Sequence, residues 1–513
     1  MRTTTFLSAL LLSLPLTALA QTCNKNENLK CCKVRESLSD GAVTDMTNGA
    51  GIALHDELLG TVGALFLSQQ SQFWHHFHPL LTINDPKCPP TLLRRSAGTH
   101  RFSPTNPHPR ANHILNANAI LLPMQIAHDS IRHTIHTIQH KPPYTPGTTG
   151  IVTAAASYLP TLLVTLRLLR RTGSTLPVEV FLANTTESDP ARPLCQHVLP
   201  QLGAQCITLS TRAPGLDKAL TSGFQIKPFA QLFSSFESVL WLDADCVPLH
   251  DPAALFISDL FTEYGLILWP DFCANTGSPV YFNVSRQEDP GSTVRASSET
   301  GMILVHKGRQ WRTLLLAAYY NYYGPEYYYP LLGQGAPGTG DKETFLHAAM
   351  ALHAVVYAVR SPPVDLGRMN TGGKSTVAVN AGFIQADPVQ DYAWNVVKTA
   401  KRNEGKDLGK EGPGEARAFF IHAGSPEFNP GKTGLLGRRL RGLDGLPARL
   451  WTYPAEALAK VGFDAEKTFW EETLAVACEF GGLFEDWEGR AEVLCERVTE
   501  HYAAVFGRGG GQG

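Results

Sequence analysis

Two periodicities divide the chain. Up to about residue 145, apolar positions recur at helical spacing, in GIALHDELLGTVGALFLSQQSQFW and again in NHILNANAILLPMQIAHDSIRHTIHTI. The proline-rich stretches NDPKCPP, RFSPTNPHPR and HKPPYTPGTTG set these apart from the remainder of the chain, the last reading as a linker. From Gly150 short apolar runs alternate with helical ones. GIVTAAA reads as a buried strand, YLPTLLVTLRLLRRTG as a helix closed by Gly173, and LPVEVFLA as a second strand. PLCQHVLPQLG and CITLS repeat the unit, FQIKPFAQLFSSF adds a helix, and SVLWLDAD a further strand. Strand and helix in this order predict an α/β fold, a mixed but mostly parallel sheet with right-handed crossovers and flanking helices. Ligands of such sheets sit beyond the carboxyl ends of the strands. After residue 450, EKTFWEETLAVACEFGGLFEDWEGRAEVLCERVTEHYAAVF returns to helical spacing, with Trp470, Leu474, Val476 and Leu483 as core positions. The expected organisation is a leader over 1–20, a helical, cysteine-stapled accessory region over 21–147, a catalytic domain over 148–445, a helical extension over 446–505 and a disordered tail over 506–513.

Composition narrows the partners. The 513 residues carry 44 basic and 46 acidic side chains, so no polyanion-binding stripe is expected and nucleic acid is excluded as a partner. The opening MRTTTFLSALLLSLPLTALAQTC has the form of a secretory signal peptide, or of an uncleaved signal anchor that leaves a single membrane attachment. Either sends the chain into the secretory route. Ten cysteines suit an oxidising lumen. Cys23, Cys31, Cys32 and Cys88 are expected to staple the N-terminal region; Cys195 and Cys206 flank a helix-sized interval, and Cys478 and Cys495 lie in the C-terminal helices. Their connectivity is open, and without paired CxxC motifs structural zinc is not expected. Asn184 and Asn283 fit the glycosylation pattern. His75, His76, His78, His128, His133, His136 and His140 have no acidic partners and read as helix faces rather than a metal site.

The chemistry concentrates where Val239–Leu242 runs into Asp243-Ala244-Asp245. On a strand these two carboxylates share a side, and each would raise the other's pKa unless a cation lay between them. Hard oxygen donors favour Mn²⁺ or Mg²⁺, ions that also take the phosphate oxygens of a leaving diphosphate. A capping role in a turn-rich loop is the structural alternative. Asp-x-Asp-x-Val also opens the haloacid-dehalogenase phosphatase motif, but several strands precede it here and no late acidic pair comes after it. Further on, RASSETGMILVHKGRQW places Glu299 and Gly301 just before a strand, with a helix from Gln310. GTGDKETFLHAAMALH opens a helix at Asp341, with Lys342 and Glu343 in its first turn. ARAFFIHAGSPEFNP is a strand ending in His422, a candidate third metal ligand.

Taken in order, GIVTAAASYLPTLLVTLRLLRRTGSTLPVEVFL, IKPFAQLFSSFESVLWLDADCVPLHDP, ETGMILVHK, GDKETF and FFIHAGSPEFNP resemble the fungal α-mannosyltransferases of glycosyltransferase family 71, over residues 148 to 440. The resemblance implies a GT-A fold and a Golgi-lumenal enzyme, with a secreted form as the alternative. It implies transfer of mannose from GDP-mannose to a mannose-bearing glycan acceptor, with an α linkage, retention and Mn²⁺ or Mg²⁺ as cofactor. By the same resemblance Asp245, Asp243 and His422 are metal ligands, Asp243 also meeting the ribose, and Lys227 contacts the donor nucleotide. Glu299 and Gly301 line the sugar pocket, and Asp341 and Glu343 hold donor-sugar hydroxyls. Met302 stands where many relatives carry Gln, and Glu427 where many carry Lys, a role Lys432 could fill. Two other readings remain: a GT-A transferase using a UDP-sugar, and a degenerate secreted glycan-binding protein. The oligomeric state is not encoded in these features.

Overall fold

A computed structural model describes residues 51–155, 158–372, 375–398, 416–424, 427–432 and 436–507. The leader, Cys23, Cys31, Cys32 and nearly all of the expected tail lie outside them. No helix of the described residues is long and apolar enough to cross a membrane.

The larger sheet has seven strands: β1 (Thr145–Ala154), β2 (Val178–Leu182), β3 (Ala204–Thr208), β4 (Phe236–Leu242), β6 (Leu266–Ala274), β7 (Ala296–His306) and β8 (Tyr357–Ala358). Their spatial order is β3-β2-β1-β4-β7-β6-β8. β1 to β4 are parallel, β7 runs antiparallel to both β4 and β6, and β8 is parallel to β6. The expected α/β architecture is present. A second sheet, not anticipated from sequence, packs β5 (Cys246–Pro248), β11 (Ala418–His422), β10 (Ser375–Ala386) and β9 (Val364–Gly372) antiparallel in that order.

β4 shows why the apolar run is continuous. Leu240 and Leu242 face one core, with Leu162, Leu163 and Trp470, whereas Val239 and Trp241 face the other, with Phe229, Phe233 and Tyr319. Both sides are covered, so no polar alternation appears. The helix Leu159–Arg171 begins with Pro160 in its first turn and ends on Arg170 and Arg171 before Gly173 at φ +84°. The C-terminal helices Ala465–Glu479 and Ala491–Phe506 bury Trp470 and Val476 and half-bury Leu474, and Leu483 between them is half-buried as well. Disulfides join Cys195 to Cys206 and Cys478 to Cys495.

Several boundaries shift. Thr145 already pairs with Phe236, so the proline-rich linker ends in β1, and the division expected at 148 runs through that strand. Residues 69–147 belong to the same compact unit as the sheet. Phe73, Trp74 and Phe77 pack on Phe229 and Phe233, and His128 donates to or accepts from the Tyr320 hydroxyl at 2.7 Å. His133 and His136 line a shallow pocket with Asp129 and Arg132, and His76 stacks on His140. The helix after β7 starts at Lys307 rather than Gln310.

Candidate functional site

The two aspartates lie just past the end of β4. The strand stops at Leu242, and Asp243 to Cys246 form a turn closed by the Cys246 amide donating to Asp243 O at 3.0 Å. The expected shared side thus comes from a turn, not from strand pleat. β5 begins at once and pairs with β11, which brings Cys246 opposite His422. The Ala423 amide donates to Asp245 O at 2.9 Å, fixing the end of β11 to the turn. As a result one ligand atom from each of Asp243, Asp245 and His422 lies within 4.8 Å of the others, the only such group among the described residues.

This set fits a hard divalent cation. Asp245 Oδ1 and His422 Nε2 are 3.1 Å apart, close to the spacing of neighbouring ligands at about 2.1 Å around an octahedral ion. All three side chains retain partial exposure, at 26%, 17% and 14% for Asp243, Asp245 and His422.

Around the pair every charge is set by a partner. The Trp241 indole donates to Asp243 Oδ1 at 2.8 Å, and the Lys227 ammonium to Asp243 Oδ2 at 3.0 Å. Lys227, on the helix Ile226–Phe233, also meets Thr300 O at 3.1 Å and Asp341 Oδ2 at 3.3 Å. Burial alone would lower its pKa, but Asp243 and Asp341 outweigh burial and raise it. Burial, with Asp243 and Glu299 nearby, pushes Asp341 up to about 6 against the pull of Lys227. Burial works against ionising Asp245 too, yet the His422 charge and hydrogen bond hold its carboxyl below the usual range.

Glu299 and Gly301 sit inside β7 rather than before it, at a bulge in β7: Leu268 pairs with Ile303 and the next residue, Trp269, with Glu299. Glu299 Oε1 accepts from the Thr300 and Gly301 amides, both at 2.8 Å, and Oε2 faces Lys342 at 3.3 Å. Despite burial, Lys342, His422 and Lys227 bring its pKa down to about 2. A Cβ on Gly301 would stand 2.7 Å from His422 Nδ1 and Cε1, so the bare backbone is what admits the imidazole.

The helix expected from Asp341 opens at Thr344, with Glu343 as its N-cap residue and Asp341 one turn outside. Glu343 is buried and fully engaged. It accepts from Ser297 Oγ at 2.7 Å and the Ser298 amide at 2.8 Å, and pairs with Arg295 at 2.7 Å. Burial would raise its pKa, but Arg295 and His347 hold it well down. Met302 is fully buried, and Lys432 pairs with Glu427 at 2.6 Å. Sequence reading missed Trp241, Thr300, Asp271 and Arg295, and gave Lys342 no task although Lys342 bridges Asp271 and Glu299. Only the position of Trp241, two residues before Asp243 at the end of a strand, was a usable signal.

A mannosyltransferase family model matches residues 148–293 and 290–387. The chain is 31% identical over 414 residues to the α-1,2-mannosyltransferase MNN21 of Candida albicans, covering 69% of this chain and 61% of the relative. It is 40% identical over 220 residues to MNN2 of the same yeast, covering 35% of this chain and 36% of the relative. With MNN5 of Saccharomyces cerevisiae it is 32% identical over 265 residues, 42% of this chain and 45% of the relative. The chain thus spans between about a third and 61% of the length of these relatives. Among solved structures it is similar to the galactosyltransferase LgtC in complex with donor and acceptor sugar analogues, at 14% identity over 41% of this chain and 73% of that one, with a TM-score of 0.26. A second is mouse xyloside xylosyltransferase 1, at 13% identity over 42% and 85%, with a TM-score of 0.27. In its Asp-x-Asp turn, its family-model match and its α-1,2-mannosyltransferase relatives together, the chain is similar to the fungal α-mannosyltransferases.

Proposed function

We propose that the chain transfers mannose from GDP-mannose to a mannose-bearing glycan in the secretory pathway, forming an α linkage with retention. The relatives named as α-1,2-mannosyltransferases favour position 2 of the acceptor. The observation that carries the reading is the convergence of Asp243, Asp245 and His422 at the end of β4 in a chain that a mannosyltransferase family model matches. These three side chains would hold Mn²⁺ or Mg²⁺, which supplies charge neutralisation at the leaving diphosphate. The chain's own residues orient and insulate. Trp241 and Lys227 fix the Asp243 carboxylate, Glu299 fixes the backbone of the β7 bulge, and Glu343 anchors Arg295 at the rim. Of the two carboxylates that could meet the sugar, Glu343 has its oxygens occupied, whereas Asp341 is bonded to Lys227 and Thr300, with Asp243 and Glu299 nearby, and is the less fully engaged.

Donor hydrolysis with GDP-mannose, UDP-glucose and UDP-galactose, with and without Mn²⁺, tests this. GDP-mannose should be cleaved fastest and only with metal. Preference for a UDP-sugar would move the chain to that donor class, and no turnover of any donor would leave a glycan-binding protein.

The metal reading carries a pH dependence. Burial disfavours the charged imidazole, but Asp245, Glu299 and Asp243 outweigh it and raise the His422 pKa to about 9. A ligand histidine must be neutral, so below pH 9 binding expels a proton. Manganese affinity should rise up to about tenfold per pH unit from 6.5 toward 9, read by titration calorimetry in buffers of different ionisation heat. In metal-free protein the same raised pKa stabilises the fold fully below pH 6.5, a contribution lost as pH climbs through about 9. A pH-independent affinity would remove His422 from the ligand set.

A further inference from the structure

The stretch from Arg94 to His113 holds Arg94, Arg95, Arg101 and Arg110, with His100, His108 and His113, and no carboxylate. In the fold Asp365 pairs with Arg101 at 3.2 Å and Asp289 with Arg110 at 2.8 Å, which leaves Arg94 and Arg95 as the local excess. It folds against the far end of β6. The Phe102 amide donates to Phe272 O and the Ala274 amide to His100 O, both at 2.8 Å. Buried Gln334 ties the remaining walls together: Oε1 accepts from the His113 amide at 2.7 Å, and Nε2 donates to Ala111 O at 2.8 Å and Thr276 O at 2.6 Å.

Between these walls lies a cavity of about 380 Å³, lined among others by Arg95, His100, His108, Arg110, His113 and Asn275, and bordered by no aspartate or glutamate. His100 and His108 stack at 4.6 Å. Arg110 is held by Asp289 at 2.8 Å and lies 5.1 Å over the Phe282 ring. It donates to Asn275 Oδ1, which also accepts from the Gly277 amide. The Asn275 amide nitrogen is thereby left as a buried donor with no partner. A buried donor without a partner, on a residue that lines the cavity, is a costly arrangement unless an acceptor arrives.

We propose that this cavity binds an oxyanion, a phosphate group carried on a sugar of the acceptor. Ala274, in the cavity wall, pairs with Ala296 on β7, the strand that also carries Glu299. The acceptor role rests on the transferase reading; the anion binding does not.

Titration calorimetry of the whole chain without donor or metal, using mannose 6-phosphate, inorganic phosphate and mannose, separates the outcomes. Mannose 6-phosphate should bind at least tenfold more tightly than mannose, and weaken at least tenfold in Arg95→Glu and with added salt. Donor hydrolysis by Arg95→Glu should match the parent. Inorganic phosphate binding as tightly as the sugar phosphate supports the anion site and assigns it to free phosphate. Equal binding of mannose and mannose 6-phosphate, or an unresponsive Arg95→Glu variant, overturns the proposal. Phosphate binding without transfer would defeat the function proposed above and leave this site intact.

Discussion

Asp245→Asn should reduce sugar transfer by roughly 10³-fold, while above a pH of about 9 the thermal midpoint stays within about 5 °C of the parent. The amide keeps the shape of the carboxylate but loses its charge, and with it a hard anionic ligand next to His422. The expected loss corresponds to several kcal/mol of electrostatic help at the leaving diphosphate, the usual size of a metal contribution. The stability cost is small above a pH of about 9, where His422 is neutral and the charge attraction to Asp245 no longer contributes to folding, while the amide still accepts the imidazole hydrogen bond. In metal-free protein His422 also relaxes toward its ordinary pKa, since its largest charged partner is gone. Steady-state transfer with a mannose acceptor and a thermal melt decide it. A parallel collapse of activity and folding would make the aspartate pair a structural cap.

Lys227→Met should behave in the opposite way. Its side chain is 7% exposed and Asp341 2%, so removing the ammonium leaves the buried Asp341 carboxylate without its cation, facing the partly exposed Asp243. Breaking such a pair from one side destabilises by about 3–5 kcal/mol. Denaturant unfolding should show that loss, and Lys227→Met with Asp341→Asn should recover most of it, because the second change removes the stranded charge. The cycle also separates two roles for Lys227. If the single variant keeps its stability but raises the KM for donor, the lysine meets the nucleotide directly, as the family resemblance implies. If stability falls and the double variant restores it, Lys227 is a positioning residue that holds Asp243 through a buried ion pair.

The strands legible in sequence are those where period and neighbours agree. β1, β2, β3 and β4 are apolar on both faces and separated by helices with clear ends, so run length and Gly173 sufficed. The antiparallel sheet of β5, β11, β10 and β9 was not legible. β5 is three residues long, and β11 joins it from more than 160 residues away, a pairing no local pattern records. Asp243, Asp245 and His422 could be picked by residue type at strand ends, and they do converge. Glu343 shows the limit of that approach. The family resemblance implied a sugar contact for it, but Arg295, Ser297 and Ser298 reach it from β7 and the segment before it, and take up both oxygens. Residue type at an element boundary reports where charge is tolerated, whereas the partners that neutralise that charge come from distant chain.

The close approach of the His422 ring to Gly301 gives this architecture a diagnostic. Any side chain at 301 would stand within 2.7 Å of the imidazole, so the ring must leave its present position to admit one. A member of the family that had gained a methyl there would have surrendered its nitrogen ligand without touching either aspartate. Screening related chains at this one position should therefore sort metal-competent members from those whose Asp-x-Asp turn survives only as a relic.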